Sequence, residues 1–202
     1  MESVAAFLHL DPKLGFLLVI AQFIGYGIVF LVLKALFIRH GKPLFQSLGW
    51  VPQPFRPTHL IAVGFVLAIT MVLVGGVLQT PDVQTPFEKL LDDRTSRIVI
   101  ALFGITLGPV IEELLFRGFL QPVLADSLGV LPGIIITSAL FGGMHLIQNA
   151  NIWQSGVLIA IVGFVLGVIR HISGSTKAST ITHVAYNSLP FLALLLGADK
   201  HS

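Results

Sequence analysis

Apolar residues in this chain come in long, nearly unbroken runs, separated by short stretches rich in proline, glycine and charge. Six runs stand out: Leu14–Ile38, Leu60–Leu78, Ile98–Leu120, Leu131–Ile147, Ile152–Ile169 and Thr180–Leu196. Each approaches the roughly 20 residues that a helix needs to cross a bilayer. Backbone polar groups cannot go unpaired in lipid, and no alternating barrel strands are visible, so the runs are read as helices. The first ends in "KALFIRHGKP", where Lys34 can snorkel to the interface and Gly41 to Pro43 break the helix. The second follows the proline-rich linker "VPQPFRP". Between the second and third, "QTPDVQTPFEKLLDDRTSR" predicts a loop with a short amphipathic helix, Phe87–Leu91, on the membrane interface. The predicted fold is all-α: a multi-pass transmembrane helical bundle of about six spans, forming one membrane domain over residues 1–202.

Composition strengthens this reading. Of 202 residues, 54% are hydrophobic and 11% charged, and the mean hydropathy is +0.90. Soluble domains carry about a quarter charged residues, so a soluble fold this poor in charge could not cover its surface. Cysteine is absent, which removes disulfides, thiolate ligands and a cysteine nucleophile and leaves the redox compartment open. A net charge of +2 argues against nucleic acid as a partner; the expected partners are the lipid bilayer and a peptide or lipidated protein. "MESVAAFLHLDPK" lacks the basic start of a secretory leader, and the run after it is too long for one. Lysines and arginines outside the runs divide six to five between the two sides, so the positive-inside rule assigns no orientation.

Charge inside a run is then the informative exception. "GPVIEELLFRGFLQP" sets Glu112, Glu113 and Arg117 among Ile, Leu, Val and Phe of the third run. An ionisable group at membrane depth is costly unless paired or wetted and usually marks function. A plainer reading leaves the three solvated at the water-facing end of the helix. Helix geometry separates the two acids. Glu113 and Arg117 are i and i+4, in the favourable acid-then-base order, and can form a buried ion pair. Glu112 is rotated by about 100° and is a spare carboxylate, the type of group that serves as a general base in a partly dry site.

Two other runs contain histidines. "SALFGGMHLIQ" places His145 next to Gly142 and Gly143, small residues that let another backbone or a substrate approach, with Phe141 four residues earlier on the same face. "STITHVAYNSLPF" puts His183 and Asn187 at i and i+4, where the amide could orient the ring or donate to an anionic oxygen. Each alone could be a core residue or a hydrogen bond between helices. Jointly, a carboxylate, a histidine and a His–Asn pair on three helices point to one site. Glutamate can take a proton from water, histidine can shuttle it or hold a metal, and a His–Asn pair can face a developing oxyanion. That set hydrolyses an amide without a covalent intermediate. No Asp lies within a run, Ser155 has no serine-protease context, and HExxH is missing. A proton-coupled transporter also uses Glu and His relays, although no inverted repeat is visible. The third alternative is a peptide-binding or immunity protein without turnover.

These residues resemble the CPBP family, the CaaX proteases and bacteriocin-processing enzymes also called the Abi family. Its pattern of EExxxR, FxxxH and HxxxN is matched by Glu112-Glu113…Arg117, Phe141…His145 and His183…Asn187, all within a catalytic core at residues 98–196. The resemblance implies a membrane-embedded endopeptidase acting in CaaX-type or peptide-maturation processing, multi-pass and in the cell membrane. It implies that Glu112 and His145 activate water, that His183 and Asn187 stabilise the oxyanion, and that Glu113, Arg117 and Phe141 are supporting residues. If a metal takes part, Glu112, His145 and His183 are its expected ligands and zinc the expected ion. Members often have about eight spans, and six are read here. One geometric expectation runs against convergence. Folding about turns near Asp126, Ala150 and Gly174 sets His183 nearer one surface than Glu112 and His145, an offset of up to about 20 Å.

Overall fold

The computed structural model describes residues 12–81, 94–148 and 152–197, and the amphipathic helix expected over Phe87–Leu91 lies outside them. Among the described residues the fold is a helical bundle without strands. All six runs are helices: α1 (Pro12–Arg39), α3 (Pro57–Val77), α7 (Val130–Gln148), α8 (Trp153–Ser173), α9 (Thr176–Gly197), and a composite third. A short α2 (Leu44–Ser47) lies between the first two. The third run extends past its expected end and reads in sequence α4 (Arg94–Ile105), α5 (Leu107–Glu113), a π-helical segment Leu114–Leu120, and α6 (Gln121–Leu128).

Two prolines account for its interruptions. The ring of Pro109 cannot sit against a helical carbonyl four residues earlier, and the helix breaks at Thr106, one residue past Ile105. Pro122 has no N–H to give to the Gly118 carbonyl, and the wider i→i+5 turns lie just before it.

Helices Pro57–Val77, Arg94–Leu128 and Trp153–Ser173 are long and apolar enough to cross a membrane, and Val130–Leu146 is apolar but shorter. The outer surface is apolar as well. Leu31, Val66, Val72 and Leu73 are each more than half exposed, an arrangement suited to acyl chains rather than water. Polar residues collect inside. Helix α9 packs against α3, α4, α5, α8 and the π-helical segment, and Thr176, Ser179, Thr180, Thr182 and His183 on it are buried. The Ser179, Thr180 and Thr182 hydroxyls donate to carbonyls of their own helix, so they do not go unpaired.

Small residues set the closest approach. A Cβ at Gly64 of α3 would stand 2.5 Å from the Thr182 carbonyl oxygen and 2.6 Å from the Ala185 Cβ of α9. Gly64→Ala must therefore push two helices apart at their backbones, and we expect a loss of about 1–3 kcal/mol. Thermal melting in detergent reads it; a variant as stable as the parent would refute this packing.

The corner between α8 and α9 is recessed. Gly174 closes α8 in a left-handed conformation (φ +66), and Ser175 and Thr176 are fully buried beneath the turn that follows α2. The Thr176 hydroxyl donates to the Leu48 carbonyl at 2.6 Å, the Thr176 N–H to the Gly49 carbonyl at 2.8 Å, and the Ser175 hydroxyl to the Val51 carbonyl at 2.6 Å. Gly49 takes φ +69 against the Arg170 guanidinium, where a side chain would have neither the conformation nor the room.

Candidate active site

The composite third helix supplies both acids at the end of α5, where the π-helical segment begins. Arg117 Nη1 donates to Glu113 Oε1 at 2.9 Å, and both side chains are wholly buried. This is the ion pair that the i, i+4 spacing predicts. Arg117 makes further contacts that the spacing does not reveal. Its Nη2 donates to the Gly163 carbonyl of α8 at 3.0 Å, and its guanidinium lies 4.4 Å from the centroid of the Phe141 ring. A charge removed from water is thus held by one anion, one carbonyl and one aromatic face.

Glu113 has a second partner. The Nδ1 of His183 donates to the same Oε1 at 3.0 Å. A carboxylate only accepts, so the proton sits on Nδ1 and the ring turns Nε2 the other way. His145 is held in the same sense by its own helix, with Nδ1 2.9 Å from the Phe141 carbonyl oxygen, again an acceptor. Both Nε2 atoms then face Glu112. His145 Nε2 stands 4.0 Å from Glu112 Oε1, and His183 Nε2 stands 3.9 Å from Oε2. The carboxylate lies between two imidazoles, each fixed from behind.

Glu112, His145 and His183 are therefore brought together, and the expected depth offset is absent. The α8–α9 corner is buried beneath the turn at Leu48–Val51, and His183, two turns into α9, lies beside Glu112. Phe141 is nearly inaccessible and is the shared packing surface. Its ring centroid lies 4.6 Å from His145 and 5.9 Å from His183, with Phe116 edge-on at 5.1 Å. Asn187 is positioned differently from the ring-orienting role its spacing allowed. Its Nδ2 donates to the Gly104 carbonyl of α4 at 2.8 Å, and Glu113 orients the ring instead. Of the two small residues beside His145, Gly142 meets α8 backbone at Gly156, and Gly143 faces open space.

Accessibility separates the two acids. Glu112 and His145 keep 12% and 19% of their side-chain surface open, whereas Glu113 keeps none. Glu113 is structural in its surroundings and Glu112 can be reached.

One contact has no precedent in the motifs. The Tyr26 hydroxyl of α1 donates to Glu112 Oε1 at 3.3 Å. The available signal was slight: one of only two tyrosines in the chain, within an apolar run, where a phenol hydroxyl needs a partner.

The three groups named for a metal can be tested on distance. Tetrahedral zinc with bonds of about 2.0–2.2 Å sets its donors about 3.4 Å apart. Here the Glu112 oxygens and the imidazole nitrogens stand 3.9 and 4.0 Å apart. Among the described residues no group of three His, Cys, Asp or Glu side chains is arranged to hold a metal ion. The donors as arranged do not fit the ion.

Comparison with known families covers this part of the chain. The model of a family described as Type II CAAX prenyl endopeptidase Rce1-like matches residues 94–189. That segment holds all three motifs, and over it the resemblance to the CPBP family is borne out. No curated protein and no solved structure matches the chain. A membrane-embedded endopeptidase is the general activity that the family match supports.

Proposed function

We propose that the protein is a multi-pass membrane endopeptidase that hydrolyses a peptide bond with water activated by Glu112 and His145. One observation carries the reading: the Glu112 carboxylate lies between two Nε2 atoms at 4.0 and 3.9 Å. That spacing is too long for a direct hydrogen bond and suits a shared water, since two bonds of about 2.8 Å meeting near 90° span about 4 Å.

In the proposed reaction, Glu112 takes a proton from that water as its oxygen attacks the scissile carbonyl carbon. His145 Nε2 accepts a hydrogen bond from the water and keeps its lone pair on the attacking trajectory. The carbonyl π electrons move to oxygen. His183, protonated on both nitrogens, donates from Nε2 to that oxyanion while Glu113 carries the opposing charge behind it. Asn187 uses one N–H on Gly104 and has a second for the oxyanion. Collapse breaks the C–N bond, and the proton held by Glu112 goes to the leaving nitrogen. The products are an amine and a carboxylic acid, which ionises by releasing the water's second proton to solvent.

For substrate we propose a peptide with a lipidated C-terminal CaaX sequence, in keeping with the family description and with a site set among membrane helices. The test uses purified protein in lipid nanodiscs with a farnesylated CaaX peptide and its unprenylated counterpart. Mass spectrometry should find a cleaved product from the farnesylated peptide. Cleavage of the unprenylated peptide alone would retain the peptidase and remove the lipid requirement. No product from either, with tight binding of the peptide, would replace the reading with peptide capture without turnover.

A further inference from the structure

We infer that Tyr26, on a helix outside the matched segment, is a positioning residue that holds the Glu112 carboxylate toward the two histidines. The inference rests on the peptidase reading and adds a fourth helix to its site. Over residues 24–39 of α1, only Tyr26, Phe30, Leu33 and Phe37 are shielded, while every other residue is exposed. Spacings of four, three and four residues form one helical stripe, so this face is docked on the bundle and Tyr26 is on it. Packing of the apolar members therefore sets where the phenol points. Its hydroxyl reaches Glu112 Oε1 at 3.3 Å, the same oxygen that stands 4.0 Å from His145 Nε2. A donor on Oε1 limits rotation of the carboxylate and fixes which oxygen faces His145.

Loss of the hydroxyl alone isolates this effect, because Tyr26→Phe keeps the ring and the stripe. With the farnesylated peptide, kcat should fall about tenfold with KM and melting in detergent unchanged. Tyr26→Leu should lose the same kcat and also melt lower. A second measurement needs no substrate. A hydrophobic carbodiimide reaches carboxyls within the membrane, and a Glu112 side chain released from its donor in Tyr26→Phe should be modified at a rate severalfold different from the parent's, with Glu113 unaffected, read by peptide mass spectrometry. Equal labelling rates, or a kcat within twofold of the parent, would overturn the assignment. If the parent cleaves nothing, the peptidase reading fails, and the labelling comparison still decides whether Tyr26 controls Glu112.

Discussion

Glu112→Gln should leave a folded protein that cleaves on the order of 10³-fold more slowly. The substitution keeps the shape of the side chain and its hydrogen bond from Tyr26 through the amide oxygen. It removes the one group at this position that can accept a proton from water. Glu113 cannot take over, since it is fully buried and already accepts from Arg117 and His183. Melting in detergent should be close to that of the parent, because the amide has the same shape and 12% of the side chain is open. Product counted by mass spectrometry over a long incubation is the measurement. A Glu112→Gln enzyme within tenfold of the parent would end the proposed mechanism.

Arg117→Ala should act on folding first. The guanidinium is wholly buried, so its removal leaves the Glu113 carboxylate in the core without its cation and the Gly163 carbonyl without its donor. Breaking a buried pair from one side costs about 3–5 kcal/mol, and truncation also opens a void against Phe141 and Phe116. The expected result is a sharp drop in folded yield and in melting temperature. Arg117→Lys should recover little, since an ammonium cannot serve the Glu113 and Gly163 oxygens with the same planar fork. The paired change Glu113→Gln with Arg117→Met, which removes both charges, should melt well above Arg117→Ala. If Arg117→Ala melts with the parent, the ion pair is not what holds this core.

Much of the architecture follows from sequence because lipid makes the rules strict. Long apolar runs must be helices, and the helix ends of α3, α7 and α8 fall within a few residues of the hydropathy boundaries. The Glu113–Arg117 pair was legible for a local reason, as both partners share one helix face. The site itself depends on relations between distant helices. The hydroxyls of Ser175 and Thr176 bind the Val51 and Leu48 carbonyls at the start of the helix that carries His183 to Glu112, and a hydropathy profile reports only that the corner is polar. The second partner of Glu113 and the commitment of Asn187 to Gly104 are likewise tertiary choices among equivalent hydrogen bonds. Tyr26 was hidden for a further reason: the stripe that docks α1 consists of residues as apolar as their lipid-facing neighbours, so period and composition do not single it out.

The wide turns of Leu114–Leu120 have a consequence for how this segment can change. Such a stretch is what one additional residue produces inside an ordinary helix. Closing these turns into regular helix with every residue kept would swivel everything on one side by about 100° relative to the other. The acids would then face away from the histidines, or Gly118 and Gln121 would lose their seats against Leu48 and Gly167. A further residue inserted here would have to be absorbed by the same device, so insertions in this interval should be far scarcer than substitutions at its positions other than Arg117 and Gly118 in any set of working variants.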